Sequence, residues 1–190
     1  ARGVTAPEQL DYGLAGLAPV SSLDNIDEAV ALLLKHRDAR ILVIGDFDVD
    51  GATSTALLLR CMREFGFAFV DYLVPNRFEF GYGLSPEIVK VAEKLEPELI
   101  ITVDNGISSI AGVAAARKAG IDVLVTDHHL PADERPDANV IVNPNLPDST
   151  FASRNLAGVG VAFYLMAALG RVLQEQGYDG AARIPATYLD

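Results

Sequence analysis

The chain has 190 residues, of which 50% are hydrophobic and 22% are charged, and its formal net charge is −11. This length and composition suit one sizeable domain with a buried core, and no apolar run is long enough to predict a membrane-spanning helix. The acidity argues against a protein that coats nucleic acid, because such proteins neutralise phosphates with an excess of Lys and Arg. It does not exclude an enzyme that uses carboxylates to bind metal ions.

The chain is predicted to consist of a short arm and one domain. Residues 1–20 have no clear apolar period, so they are predicted to form an N-terminal arm, with residues 21–190 as the domain. Residues 184–190 end without a helix terminator or a polar tail, from which we expect a fragment of a longer protein. The single cysteine, Cys61, excludes a disulfide within the chain and favours a reducing, cytoplasmic location. Its apolar helical surroundings predict that it belongs to the core.

Apolar segments typical of strands alternate with segments typical of helices along the domain. Strands are predicted at 40–44, 67–74, 98–103, 121–126 and 139–142, and helices at 24–36, through 55–59, from 85, at 110–119 and at 156–175. Ser22 or Asp24 is expected to cap the first helix, and His36 to contact carbonyls at its end. The alternation predicts an α/β fold, with an open, mainly parallel five-stranded sheet and helices on both faces.

Three carboxylates crowd the turn between the first strand and the next helix, at Asp46, Asp48 and Asp50. At about 4 Å, each like-charge pair costs roughly 1 kcal/mol in water and about 4 kcal/mol at an effective dielectric of 20, which favours a bound divalent cation. A calcium EF-hand loop also begins with this pattern, but its twelfth position requires Glu, and Leu57 stands there. Capping of the following helix would explain one aspartate and leave two unexplained.

Further polar clusters follow three other predicted strands. They are Asp104-Asn105-Gly106, Asp127-His128-His129 and Asn143-Pro144-Asn145. Because the carboxyl ends of parallel strands meet at one edge of a sheet, all four clusters are expected in one place. Carboxylates alone suit magnesium or calcium, while added imidazole favours manganese, iron or zinc, and there are enough donors for two ions. The sequence contains no nucleophile elbow, P-loop or dinucleotide fingerprint.

The segments 46–51, 103–106 and 127–129 resemble the first three motifs of the DHH phosphoesterase superfamily. The segments 75–84, 142–145 and 156–163 are similar to the branch of bacterial single-strand-specific exonucleases. This resemblance implies hydrolysis of single-stranded DNA from the 5′ end to mononucleotides, in recombination and repair, with two Mn²⁺ or Mg²⁺ ions in the intact enzyme. It also implies single-stranded DNA as a partner, with single-strand-binding protein and a helicase as further candidates, and no membrane.

The resemblance carries roles over to individual residues. Asp104 is the expected bridging ligand, and Asp127 would either bind metal or orient a neighbouring histidine. His129 would either support a metal ligand from behind or contact phosphate. The implied metal ligands are Asp46, Asp48, Asp50, Asp104, Asp127 and His128; the implied catalytic residues are Asp104, His128 and His129; and the implied substrate contacts are Arg77, Tyr82, His129, Asn143, Asn145, Gly158 and Gly160.

Plainer interpretations stay open for several of these residues. Arg77 could instead pair with Glu79 at the surface, and Phe80 could pack in the core rather than stack on a base. The backbone N–H groups around Gly158 and Gly160 could hold a phosphate, or the glycines could permit close packing of the last helix.

The sequence departs from the superfamily pattern in two ways. Many members carry a histidine four residues before Asp48, where Ile44 stands here, so one ion would keep more water. The fourth motif, the second catalytic domain and the oligonucleotide-binding domain are expected to lie outside this chain. Two other functions remain as alternatives: a DHH phosphoesterase acting on short oligonucleotides, cyclic dinucleotides or pyrophosphate, and a non-catalytic scaffold with the same fold.

Overall fold

The computed structural model describes residues 16–76, 80–178 and 183–188. Within these ranges one all-parallel sheet has the strand order β2-β1-β3-β4-β5. The strands are β1 Ile41–Gly45, β2 Val70–Leu73, β3 Leu99–Val103, β4 Asp122–Thr126 and β5 Val140–Val142. The α-helices are α1 Ile26–Lys35, α2 Val49–Glu64, α3 Pro86–Ala92, α4 Ile110–Lys118 and α5 Gly158–Glu175. The predicted open α/β sheet is confirmed.

Helices cover both faces of the sheet. Alternate residues of its buried strands point to opposite sides, so they pack against different helices. Ile41 and Val43 of β1 pack with α1, α2 and α5, while Leu42 and Ile44 pack with α3 and α4. All four of these side chains are buried, and each contributes roughly 1.5 to 3 kcal/mol through the hydrophobic effect. Cys61 is buried in the layer formed with α1, α2 and α5, as predicted.

Some predicted helix ends are confirmed and others are wrong. The side chain of Ser85 accepts from Ile88 N, and Pro86 occupies the first turn of α3, as expected. At α1 the N-cap is Asn25 in the left-handed region (φ 60°), rather than Ser22 or Asp24. The Asp24 carboxylate instead accepts from the hydroxyl of Ser149, which ties this segment to the loop before α5.

The predicted role of His36 is also wrong, because its ring contacts a carboxylate and not the helix carbonyls. His36 Nε2 lies 2.8 Å from Asp122 Oδ2, and Lys35 Nζ donates to the same oxygen at 2.7 Å. Asn139 Nδ2 donates to Asp122 Oδ1 at 2.8 Å. Burial alone would raise the pKa of Asp122, but hydrogen bonds from Lys35, His36 and Asn139 outweigh it and lower the pKa to about 2. This cluster ties the end of α1 to the start of β4.

We expect Asp122→Asn to reduce the free energy of unfolding by about 1 to 2 kcal/mol near neutral pH. The folded-state pKa of Asp122 is depressed from 3.8 to about 2, so its contribution is present above about pH 4 and is lost as the pH falls toward 2. Urea unfolding at neutral and acidic pH measures the difference. Asp38→Asn, at an exposed position after α1, is the matched control. A variant as stable as the native chain at neutral pH would contradict the prediction.

Candidate metal centre

The chain is tightly folded between β1 and the first turn of α2, where the three aspartates lie. At Gly51 a Cβ would lie 2.4 Å from the backbone oxygen of Asp46, so only glycine allows this close approach. Asp48 is the N-cap of α2, and its Oδ1 accepts from Gly51 N at 2.9 Å. Capping therefore explains Asp48, as the plainer interpretation allowed, and it accounts for neither Asp46 nor Asp50.

Asp50 lies in the first turn of α2 and is held by the N-terminus of α5. Its two carboxylate oxygens accept from Gly158 N and Val159 N, each at 2.8 Å. Free N–H groups at a helix N-terminus favour an anion, and here that anion is the Asp50 carboxylate rather than a phosphate. The predicted substrate contact through Gly158 is therefore corrected. At Gly160 a Cβ would lie 2.4 Å from Leu156 Cδ1, which agrees with close packing, and the substrate contact through Gly160 stays a prediction.

Asp104 is buried at the end of β3, with a left-handed backbone (φ 60°) and 2% exposure. Its Oδ1 lies 3.1 Å from His128 Nε2, but the geometry makes no hydrogen bond, so this oxygen has no hydrogen-bond partner among the described residues. Burial and the neighbouring carboxylates of Asp50 and Asp48 raise the pKa of Asp104 to about 7. A buried anionic oxygen without a donor fits a site built for a cation.

Asp104 belongs to two groups of side chains that could each hold an ion. Ligand atoms of Asp46, Asp48 and Asp104 lie within 4.8 Å of one another, and so do those of Asp104, His128 and His129. Asp50 Oδ2 lies 3.5 Å from His128 Nε2, at the border between the two groups. Oxygen and imidazole donors in this mixture suit Mn²⁺, and the carboxylate-only group suits Mg²⁺ as well. The arrangement agrees with a bridging position for Asp104.

Asp127 lies behind the histidines and outside both groups. Its Oδ1 accepts from His128 N at 2.7 Å and from His129 N at 3.1 Å, and its Oδ2 accepts from Ile107 N at 2.9 Å. His129 Nδ1 lies 2.7 Å from Oδ1. Burial would raise the pKa of Asp127, but hydrogen bonds from His129 and the backbone lower it. Because these donors fix its carboxylate, Asp127 is placed to orient His129, while direct binding of metal by Asp127 stays a prediction.

His129 is half exposed beside Tyr82 at the edge of the site. The hydrogen bond to Asp127 is the main cause that raises the pKa of His129. Tyr82 donates its hydroxyl to the backbone oxygen of Asp104 at 3.1 Å, and this hydroxyl lies 3.3 Å from His129 Nδ1. Burial and nearby carboxylates raise the pKa of Tyr82 well above its ordinary value. Base stacking by its half-exposed ring stays a prediction, whereas Phe80 packs against the core, as the plainer interpretation expected.

The substrate contacts of Asn143 and Asn145 stay predictions, but their side-chain nitrogens are engaged by the protein itself. Asn143 Nδ2 donates to the backbone oxygen of His129 at 3.0 Å, and Asn145 Nδ2 donates to that of His128 at 2.6 Å. Both amide nitrogens therefore face the protein.

Sequence reasoning gave no role to Asn105, whose Nδ2 donates to Ile44 O and Val103 O and joins the ends of β1 and β3. Its position directly after Asp104 was the feature of the sequence that could have indicated a role at the site. Arg77, a predicted substrate contact, lies outside the described residues.

Residues 40–190 match the DHH family, N-terminal domain, and the chain belongs to that family. The chain is 55% identical over 179 residues to the single-stranded-DNA-specific exonuclease RecJ of Escherichia coli (strain K12), which covers 93% of this chain and 31% of that protein. The chain thus spans about a third of the length of this curated relative. None of the helices within the described residues is long and apolar enough to cross a membrane.

Two solved structures share the fold. One is exonuclease RecJ bound to manganese, with a TM-score of 0.74 and 37% identity over 92% of this chain and 43% of that chain. The other is RecJ from Thermus thermophilus in complex with Mn²⁺, with a TM-score of 0.70 and 33% identity over 91% of this chain and 24% of that chain. Relatives with the same fold therefore bind the metal that the donor set at Asp104 suits.

Asp104→Asn is expected to raise stability in metal-free buffer above about pH 7, by an amount on the order of 1 to 3 kcal/mol. The folded-state pKa of Asp104 is raised from 3.8 to about 7, so the native chain loses stability as the pH rises across that interval, and an amide does not. Thermal unfolding in chelator against pH measures this. Added Mn²⁺ should stabilise the native chain more than the variant. Parallel pH profiles for the two proteins would contradict the prediction.

Gly158→Ala is expected to weaken Mn²⁺ binding, because its Cβ would lie 2.7 Å from Asp104 Oδ1 and 2.9 Å from Asp104 Cβ. The start of α5 would have to move away, and Asp50 would move with it. We expect a loss of about tenfold or more in affinity, as for other groups that orient metal ligands, measured by titration calorimetry. Gly160→Ala is the control from the same helical turn, since it meets only the flexible Leu156 side chain. Equal effects of the two variants would refute this role of Gly158.

Proposed function

We propose that this chain is the metal-binding part of an exonuclease that hydrolyses single-stranded DNA from its 5′ end to mononucleotides, with two Mn²⁺ or Mg²⁺ ions. The observation that carries this proposal is the position of Asp104, whose buried oxygen lacks a hydrogen-bond partner among the described residues and belongs to both groups of candidate ligands. Two ions that share a carboxylate are a common arrangement for phosphodiester hydrolysis. The similarity to RecJ supports the choice of DNA as substrate.

The proposed role of each side chain follows from its position in the site. Asp48, Asp50, Asp104 and His128 would hold the ions, with Asp46 as a further candidate next to Asp48. Bound divalent ions would supply Lewis-acid activation of water and neutralise charge that develops on the phosphoryl oxygens. Asp127 keeps Nδ1 of His129 engaged, so Nε2 is the nitrogen left to donate toward a phosphate oxygen. The raised pKa of His129 favours the protonated ring that this contact needs.

Other parts of the proposal rest on the resemblance alone. We infer that residues 21–190 form the DHH domain and that residues 1–20 form an arm before it. Single-strand-binding protein and a helicase remain predicted partners, with the cytoplasm as the predicted compartment and recombination and repair as the process. The half-exposed ring of Tyr82 and the side chain of Arg77 are the predicted contacts to DNA.

A longer form of this protein, extended as its relatives are, should release mononucleotides from 5′-labelled single strands only when Mn²⁺ or Mg²⁺ is present. His128→Ala should reduce the rate by at least about a hundredfold, because it removes a proposed metal ligand whose Nε2 lies 3.1 Å from Asp104 Oδ1 and 3.5 Å from Asp50 Oδ2. Loss of groups that only orient such ligands already costs about 10- to 100-fold. His36→Ala, at the opposite edge of the sheet, should leave the rate unchanged once the protein is folded. Analysis of the labelled products by gel electrophoresis tests both statements.

The same assay separates the alternatives. Cleavage of dinucleotides or cyclic dinucleotides without attack on longer strands would contradict the exonuclease proposal and favour another DHH phosphoesterase. Failure of the native protein to bind either metal, measured by calorimetry, would contradict any hydrolase and favour a scaffold.

A further inference from the structure

Two asparagines lie directly behind the histidine pair and hold its main chain. The contact between β4 and β5 ends where Asp127 N donates to Val142 O at 3.1 Å. Beyond that point the carbonyls of His128 and His129 accept from side chains, Asn145 Nδ2 at 2.6 Å and Asn143 Nδ2 at 3.0 Å. The backbone that carries the two imidazoles is therefore held by amides from the segment after β5.

The backbone of Asn145 also fixes the side chain of Asn143. Asn143 Oδ1 accepts from Asn145 N at 2.8 Å, which leaves its amide nitrogen aimed at His129. Asn143 is fully buried, with 0% exposure. If the carbonyl of His129 moves, no water can replace it as the acceptor for Asn143 Nδ2. An unmade bond at such a buried amide costs about 1 to 3 kcal/mol, and this cost opposes any displacement of the histidine segment.

Asn145 connects the histidines to the helix that holds Asp50. Its Nδ2 also donates to the backbone oxygen of Arg154 at 3.1 Å, in the segment that leads into α5. The first N–H groups of α5, at Gly158 and Val159, bind both oxygens of Asp50. One amide thus contacts the main chain on both sides of the candidate metal centre.

We propose that Asn143 and Asn145 are positioning residues that set the main chain of His128 and His129, and through it the direction of the His128 ring toward Asp104. This inference rests on the proposed function, because it takes His128 to be a metal ligand. The asparagines contact neither metal nor DNA in this account; they act through backbone carbonyls. The typical effect of removing a group that orients a metal ligand is a loss of about 10- to 100-fold in metal affinity.

Asn145→Asp and Asn143→Asp test this proposal. Each exchange keeps the size of the side chain and replaces the donating amide by an acceptor that faces the histidine carbonyl. The added negative charge would by itself attract a cation, so a loss of affinity reports lost geometry and not lost charge. We expect the Mn²⁺ dissociation constant of the chain, measured by electron paramagnetic resonance of free Mn²⁺, to rise at least about tenfold.

The matched control is Asn25→Asp. Asn25 Nδ2 donates to the backbone oxygen of Ile141 at 2.8 Å, which is the same kind of amide-to-carbonyl bond on β5, away from the histidines. It should lower the thermal unfolding temperature without changing the affinity for Mn²⁺. If Asn143→Asp does not fold, Asn145→Ala replaces it, since Asn145 is only partly buried and no charge is added. That variant should also weaken Mn²⁺ binding, by a smaller factor.

The outcomes separate this inference from the proposed metal centre. If His128→Ala loses Mn²⁺ affinity while the folded Asn143 and Asn145 variants keep it, the positioning role is overturned and the metal centre stands. A native chain that does not bind Mn²⁺, or a His128→Ala variant that binds it equally well, overturns both. Loss of affinity in the Asn143 and Asn145 variants but not in the Asn25 variant supports the proposal.

Discussion

The side chain of Asp104 lies almost fully buried where β3 ends, and its Oδ1 has no hydrogen-bond partner among the described residues. A buried anionic oxygen in this state destabilises the fold unless a proton or a cation compensates its charge. Its neighbours Asp48 and Asp50 are also acidic, and their charges together with burial raise its pKa. The surrounding structure holds this carboxylate in place beside the other candidate metal ligands.

The parallel sheet makes that arrangement possible, because it brings segments far apart in the chain to one edge. Asp104 follows β3, the histidines follow β4, and Asp50 lies in the first turn of α2, shortly after β1. The helix α5 then closes the site from outside the sheet, with Gly158 against Asp104 and its first N–H groups on Asp50. A helix N-terminus that binds a carboxylate leaves that carboxylate less free to move, and the proposed ligand Asp50 is held in this way.

Much of the fold and the position of the site could be predicted from the sequence. Strands such as 98–103 were apolar and short, and polar clusters followed them directly, so the common edge was predictable from topology alone. The direction of individual side chains was not. Asn143, Asn145 and Gly158 carry groups suited to phosphate, but protein partners from distant segments occupy them. The pairing of His36 with Asp122 likewise joins α1 to β4 across 86 positions, a contact that no local pattern reports.

The most direct test of the central claim is the number and position of Mn²⁺ ions in crystals of this chain, located by anomalous scattering at the manganese edge. The account predicts at least one Mn²⁺ in contact with Asp104 and His128, and a carboxylate oxygen of Asp104 between two ions when both sites are filled. Ions that bind elsewhere while Asp104 keeps no contact to metal would contradict it.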